Sequence, residues 1–422
     1  MQYPLRQPMD LSDLQERRAP GVLRPLARPR TATALDRWCL SQLVRVAAGV
    51  PMRMVLWDGT TATAADAEPR FTVHIRSRAT LIGLVRDPDF GFGDGYVSGD
   101  IVVDGDLYGL VDGVACALAT RAGRMGGLGR WLAHMVGADI TGARRNAQYH
   151  YDLGNDFYRL WLDEDLVYTC AYFPTPDASL EEAQRAKLEH VCRKVQLAPG
   201  DRVFEAGCGW GALALHMVRR HGVTVRAWNV SHEQIAEARA RAAADRLDDR
   251  VEFIEDDWRH IDGTCDVFVS IGMLEHVGPS RYRELGRIID RSLHPRHGRG
   301  LLHFIGHDVQ GPASRWTRKY AFPGFYLPTL HEVLAGVLEP YGFAVTDVED
   351  LRRHYARTLE HWRDRFERAE PVVTARFGER FTRIWRYYLA GAHAGFASGY
   401  LQLFQVAFTR RAWDGGPWVR PA

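Results

Sequence analysis

The chain has 422 residues, 46% of them hydrophobic and 25% charged, and its 54 basic side chains nearly cancel 52 acidic ones to leave a formal charge of +2. That length accommodates two or three domains, each with its own core. The near-neutral balance excludes a dedicated nucleic-acid binder, which needs a basic footprint.

The basic residues are almost all Arg, with Lys only at Lys187, Lys194 and Lys319. Cys39, Cys116, Cys170, Cys192, Cys208 and Cys265 show no C-x-x-C and no metal-ligand spacing, so a reducing cytoplasm and no metal are expected. No apolar leader opens the chain, and no window approaches ~18 uncharged apolar residues. The expectation is a cytoplasmic protein without a membrane-spanning helix, which reaches any lipid substrate from the surface of the bilayer.

Residues 1–34 mix Pro4, Pro8, Pro20, Pro25 and Pro29 with several arginines and read as a flexible basic arm. From 35 to 124 the pattern is that of a small α+β domain with a binding or dimerising role. A helix is expected over 34–48, and short strands over 52–57, 71–75 and 96–103. Gly91 to Gly95 reads as a turn before the third of these strands. A helix over 107–119 follows, with Leu110, Val114 and Leu118 on its core face. Residues 125–145, centred on Met125-Gly-Gly-Leu-Gly129, read as a linker.

The aromatic and small polar segments 146–158 and 167–173 lack helical or strand periodicity, as expected of chain that closes over a ligand. After a helix over 180–195 the sequence alternates strand and helix. Strands are expected over 202–204, 224–229, 251–254, 266–271 and 300–305. Helices are expected over 212–220, 232–247 (capped by Ser231) and 281–293. Such alternation gives a doubly wound α/β sheet with its ligand crevice at the carboxyl ends of the strands, where Glu205, Asn229, Asp257, Glu275 and His303 all fall.

Trp316 to Pro328 is apolar, aromatic and basic at once, and reads equally as a lid, a lipid-facing surface or a buried loop. Two amphipathic helices are expected over 355–368 and 372–389, with Phe377, Phe381 and Trp385 as core. Residues 401–408 alternate as an edge strand.

The chemistry concentrates in Asp201-Arg-Val-Phe-Glu-Ala-Gly-Cys-Gly-Trp-Gly211. A strand ends in Glu205, and Gly207, Gly209 and Gly211 turn the chain into a helix whose free N–H groups favour a polar ligand. A dinucleotide fingerprint reads G-x-G-x-x-G with an acidic residue after the second strand. Here the pattern is E-x-G-x-G-x-G and the second strand ends in Asn229, which favours S-adenosylmethionine (SAM) over NAD.

With these residues placed, the chain resembles the cyclopropane-fatty-acyl-phospholipid synthases, including the mycolic acid cyclopropane synthases. The likeness runs from about residue 146 to the C-terminus. It is carried by His150-Tyr-Asp-Leu-Gly-Asn-Asp-Phe-Tyr158, Tyr168-Thr-Cys-Ala-Tyr172, Gly207-Cys-Gly-Trp-Gly211, Met273-Leu-Glu-His-Val-Gly278, Leu302-His-Phe-Ile-Gly306 and Tyr320-Ala-Phe-Pro323. The resemblance implies a Rossmann-like SAM-dependent methyltransferase fold over 146–422, with inserted helices and a lid or lipid-facing insertion around 307–400. The N-terminal domain is similar, more loosely, to the lipid-binding domain of phospholipid-acting members, which implies intact membrane phospholipid with unsaturated acyl chains as the partner. A homodimer through that domain is likewise implied.

Carried over residue by residue, the resemblance implies a bicarbonate ion held by Cys170, Glu275, His303, Ile305 and Tyr355. SAM would meet Tyr168, Thr169, Glu205, Gly207, Cys208, Gly209, Trp210, Gly211, Asn229, Gln234, Asp257 and Trp258. The implied reaction adds the SAM methyl to a cis double bond, with Tyr168, Trp210 and Tyr172 as aromatic walls facing the carbocation. Bicarbonate then deprotonates the new methyl and a cyclopropane ring closes. Alternatives from the same residues are a methylene or methyl branch, methylation of a lipid heteroatom, and a non-catalytic lipid-binding protein. Relatives giving the branched outcome lack the Glu-His pair present here as Glu275-His276. The departures Leu274, Asn229 and Phe304 bear on chain-length preference.

Overall fold

The computed structural model describes residues 31–122, 153–308 and 311–413. The arm expected over 1–34 lies outside them up to residue 30, and the linker over 125–145 and the segment 146–152 lie outside them entirely.

The N-terminal unit begins with α1 (Ala34–Val46), started by a capping box in which Thr33 and Asp36 satisfy each other's backbone N–H groups. Strands β1 (Met52–Leu56), β2 (Thr61–Thr63), β3 (Phe71–Ile75) and β4 (Ile101–Asp104) form a sheet in the order β2-β1-β3-β4, with β1 and β3 parallel. Helices α2 (Arg78–Arg86), α3 (Pro88–Ser98) and α4 (Leu107–Ala122) complete it.

The expected turn at Gly91 to Gly95 is instead the interior of α3, and the run 96–103 divides between that helix and β4. These glycines make room where the helix is approached closely. A Cβ on Gly91 would stand 2.7 Å from the Gly83 carbonyl, and one on Gly93 would stand 2.4 Å from Trp316 Cδ1 and 2.5 Å from Tyr387 Cε1. Of the expected face of α4, Leu110 is buried and Val114 packs on the core, but Leu118 is exposed.

The larger unit is an α/β sheet. Strands β5 (Arg202–Ala206), β6 (Thr224–Asn229), β7 (Val251–Glu255), β8 (Val267–Ile271) and β9 (Arg299–Gly306) are parallel. Packed on and between them lie α5 (Leu180–Lys194), α6 (Ala212–His221), α7 (His232–Ala244) and α8 (Tyr282–Ser292). Ser231 caps α7 as expected.

Two antiparallel strands, β10 (Ala344–Asp350) and β11 (Gln402–Thr409), extend the sheet to the order β10-β11-β9-β8-β5-β6-β7. The expected edge strand over 401–408 is therefore interior, between β9 and β10. β10, which the sequence did not announce, covers its outer edge, and residues Leu403 to Thr409 are buried on both faces by packing against the cores on either side of the sheet. The order in which strands are added to the sheet reverses between β5 and β8, a switch point that puts the crevice at their carboxyl ends.

Helix α9 (Arg315–Tyr320) lies in the aromatic segment 316–328. Trp316, Ala321, Phe325 and Leu327 are buried, Trp316 against α3 and Tyr387. The last two helices are α10 (Arg352–Phe377) and α11 (Glu379–Ser398). The break expected near Pro371 falls instead at Gly378, whose φ of 83° ends α10; Pro371 is carried inside the helix.

Phe377, Phe381 and Trp385 join the aromatic core, as expected. Helix α11 also carries the seam with the N-terminal unit: His393 Nδ1 meets Asp112 Oδ1 at 2.9 Å, and across on α10 Glu367 accepts the Tyr108 hydroxyl at 3.0 Å. Among the described residues no helix is long and apolar enough to cross a membrane.

Candidate active site

The glycine turn leaves β5 with Gly207, Gly209 and Gly211 at φ of 85°, 53° and 83°, values that L side chains rarely adopt. Space enforces the same choice, since a Cβ on Gly211 would lie 2.6 Å from Phe253 Cζ. Gly207 and Cys208 donate their N–H groups to the Trp228 carbonyl at 2.9 and 3.2 Å, tying the turn to β6. Cys208 itself is buried, and burial pushes its thiol well up.

Glu205 is buried at the end of β5, and its Oε2 has no hydrogen-bond partner in the protein. Burial raises its carboxyl to about 7 against the opposing influence of Lys187. A buried acceptor left open beside a turn of this shape fits the polar part of SAM.

Asn229 ends β6 and donates to Gln234 Oε1 at 2.6 Å and to the Gly209 carbonyl at 3.3 Å, so both expected residues stand beside the turn. Asp257 caps the turn Trp258–His260 and is gripped by Arg259, with the guanidinium Nε at 2.6 Å. That grip is a partner the sequence reading did not foresee. Trp258 is half-buried, with the Arg259 guanidinium 5.5 Å over its ring.

Segment 167–173 is strapped across the crevice. Gln184 on α5 donates to the Val167 and Thr169 carbonyls at 3.2 and 2.8 Å, and Lys187 donates to Thr169 Oγ1 at 3.1 Å. Thr358 on α10 accepts the Ala171 N–H at 3.0 Å. The Tyr168 hydroxyl meets that of Tyr388 at 2.9 Å, and its ring lies 5.3 Å from those of Trp161 and Trp362.

Trp210 turns toward this box, 5.0 Å from the Tyr158 ring, and donates to Asn155 Oδ1 at 2.7 Å. Tyr172 is different: it is sandwiched between His190 and His354 at 4.3 and 4.7 Å. Both its faces are covered, so it offers no wall to a cation.

A path of mostly backbone contacts joins the elements that carry the five residues of the expected anion cage. Glu275, in a turn after β8, accepts the Ile305 N–H on Oε1 at 2.7 Å. His303 lies two residues back on the same face of β9. Ile305 pairs with Leu403 across the ladder, and the Leu403 carbonyl accepts the Leu351 N–H at 2.7 Å. The Leu351 carbonyl in turn lies 3.9 Å from Cys170 Sγ and accepts the Tyr355 N–H at 3.1 Å. Tyr355 is buried and stacks on Phe396 at 4.4 Å.

Protonation follows from these surroundings. Gln405 Nε2 donates to His303 Nδ1 at 3.1 Å, which puts the ring proton on Nε2, and burial with Lys187, Lys194 and His190 nearby holds the imidazole neutral. Burial raises Glu275 to about 7 and pushes the Cys170 thiol far up, so that thiol stays protonated. His303 Nε2 and Glu275 Oε2 are both buried and without a partner in the protein. A donor and a proton-sharing carboxyl left open together fit a small oxyanion such as bicarbonate.

Sequence reasoning passed over Gln184 and Lys187, which hold the strap. The signal available was a chain with three lysines placing two of them a heptad apart on one helix. It also passed over Cys192, His216 and His221, whose ligand atoms lie within 4.8 Å of one another. Glu189 Oε2 sits 3.1 Å from the Nε2 of each of those histidines and satisfies both.

Residues 139–406 match the family described as mycolic acid cyclopropane synthetase, and residues 39–117 match a domain of unknown function. The chain is 35% identical over 385 residues to a probable fatty acid methyltransferase of Pseudomonas putida, covering 88% of this chain and 95% of that protein. It is 39% identical over 267 residues to the cyclopropane-fatty-acyl-phospholipid synthase of Escherichia coli K12, covering 63% and 68%. Among solved structures, a mycolic acid cyclopropane synthase complexed with SAH and CTAB superposes with a TM-score of 0.60 at 32% identity, covering 63% of this chain and 97% of that one.

Proposed function

The chain belongs to the mycolic acid cyclopropane synthetase family of SAM-dependent methyltransferases, and from that premise we propose that it converts the cis double bond of an unsaturated acyl chain of a membrane phospholipid into a cyclopropane. The observation that carries this reading is the pair of open buried atoms, Glu275 Oε2 and His303 Nε2, on the path whose elements also carry Cys170, Ile305 and Tyr355.

SAM, when bound, supplies an electrophilic methyl, and bicarbonate, when bound, supplies a base. Glu205, Asn229, Gln234 and the glycine turn would hold the first; Glu275, His303, Cys170, Tyr355 and the Ile305 backbone would hold the second. An isolated alkene is a poor nucleophile, so reach and alignment dominate the barrier. The strap held by Gln184 and Lys187 fixes Tyr168 and Thr169 over the donor side. Tyr168 and Trp210, with Tyr168 backed by the buried Trp161 and Trp362, exclude water and offer aromatic rings to positive charge on the lipid. Neutral His303 donates through Nε2, and Glu275, poised near neutrality, shares a proton without fixing a full charge in the cage.

A second reading is a methylene or methyl branch from the same cation. It is favoured by the likeness to the P. putida fatty acid methyltransferase, which extends through the N-terminal region, whereas that to the E. coli synthase spans only 267 residues. The Glu275-His276 pair favours the ring. Peripheral attachment to the membrane, and pairing of two copies through the N-terminal unit, belong to the same proposal.

The test incubates purified protein with SAM, bicarbonate and vesicles of monounsaturated phospholipid, then examines the acyl chains by NMR. Cyclopropane protons are expected. Exo-methylene protons instead would establish the second reading, and an unmodified chain alongside intact SAM would remove both.

A further inference from the structure

Lys187 lies on the inner face of α5 and is 2% exposed. Among the described residues its one hydrogen bond goes to Thr169 Oγ1 and it forms no ion pair. The same helix shows what a compensated lysine looks like. Lys194, just as buried, is held by Asp347 at 2.9 Å and Glu349 at 2.6 Å. An ammonium has three N–H donors, and burying it with one of them used and no counter-ion in contact is strongly unfavourable.

Its surroundings locate the missing partner. Burial lowers its ammonium to about 8 against the opposing charges of Asp163 and Glu205, and its own charge bears on His303. Its hydrogen bond to Thr169 Oγ1 fixes it against the strap, with Glu205 of the glycine turn and His303 of the cage within electrostatic reach. Glu205, the nearest acid of the turn, has an open oxygen yet makes no ion pair with it. The open oxygen of Glu205 and the unused donors of Lys187, both buried and neither satisfying the other, call for a ligand that satisfies both.

We propose that Lys187 is an anion-binding residue of the active site whose unused N–H groups take a carboxylate-type oxygen, supplied by the methionine carboxylate of SAM or by bicarbonate. The proposal rests on the SAM-dependent reading above. The methionine end of SAM matches the arrangement directly, since its carboxylate suits Lys187 and its ammonium suits Glu205. Bicarbonate would reach Lys187 from the side of Cys170 and His303.

The experiment compares wild type, Lys187→Met and Lys187→Arg. It measures SAM dissociation by calorimetry, the bicarbonate dependence of turnover in carbonate-depleted buffer, and the melting temperature. In Lys187→Met one ligand constant should rise at least about tenfold, the scale of one charge-assisted hydrogen bond, and Lys187→Arg should recover part of it. A shift in SAM affinity assigns the methionine carboxylate; a shift in the bicarbonate constant assigns bicarbonate. Melting should not fall, because an apolar side chain of similar shape replaces an uncompensated charge. Both constants unchanged in a folded variant would overturn the proposal.

Should the variants not fold, wild type grown with 13C-lysine offers three signals for the three lysines. Saturating SAM or bicarbonate should raise the titration midpoint of Lys187, and a midpoint unmoved by both would equally overturn the proposal. Failure of the lipid reading would look different: vesicles left unmodified while Lys187 still responds to SAM.

Discussion

Ile305 donates its backbone N–H to Glu275 Oε1 at 2.7 Å, so a strand and the turn after its neighbour fix one carboxyl in a single orientation. The other oxygen is left buried and open. Glu275→Gln keeps the acceptor for Ile305 but cannot exchange a proton. Turnover should fall by about 10²–10⁴-fold, the range of a lost acid–base group, with SAM affinity unchanged. Retained turnover would remove Glu275 from the chemistry.

The carboxyl of Glu205 is raised by burial to about 7, so between the unfolded value near 4.5 and that point the folded chain binds the extra proton. Its contribution therefore favours folding at low pH and declines as pH rises through this window, levelling off above it. The lost stability is on the order of 3 kcal/mol. Glu205→Gln should be more stable than wild type at pH 8 and little different at pH 4 in urea titrations, while binding SAM more weakly. An equal difference at both pH values would show that the carboxyl is not raised.

Gly211 combines a φ of 83° with a Cβ position 2.6 Å from Phe253. Gly211→Ala should cost about 1–3 kcal/mol through overpacking, with backbone strain in addition. It should also weaken SAM binding, because the turn must move; calorimetry and thermal melting check both.

The N-terminal unit meets the larger unit where α3 presents Gly93 to Trp316 and Tyr387. Gly93→Ala should destabilise by about 1–3 kcal/mol and make the seam more susceptible to limited proteolysis. Gly83→Ala is the control, since nothing lies within 4 Å of its Cβ position. It should be neutral or stabilising by up to about 1 kcal/mol, the helix-propensity gain over Gly. Equal behaviour of the two would mean that Gly93 is not a packing glycine.

Much of the sheet was legible because strand and helix periods are local. Thr224–Asn229 and Phe71–Ile75 fall where alternation and flanking turns put them. Glycines were legible only where conformation required them. Gly207, Gly209 and Gly211 declare a turn through their spacing, but Gly93 serves the distant Trp316 and Tyr387, and nothing beside it in the chain says so. For the same reason the tail read as an edge strand. Its alternation is real, but whether a strand is interior depends on who pairs with it, and the β10 sequence 344–350 is too polar to announce itself.

What the sequence determined by itself was the α/β class and the glycine turn with its acid at the strand end, because each is set by short-range spacing; the residues proposed as an anion cage came from the family resemblance. What only the tertiary structure decided was who meets whom. It completed the path from Glu275 through Ile305, Leu403 and Leu351 to Cys170 and Tyr355, covered both faces of Tyr172, and left Lys187 buried beside Glu205 without an ion pair. Those outcomes depend on burial and on contacts between separate segments, such as those of Cys170 and Leu351, 181 residues apart, and the cost of desolvating a charge exists only once the chain has folded around it.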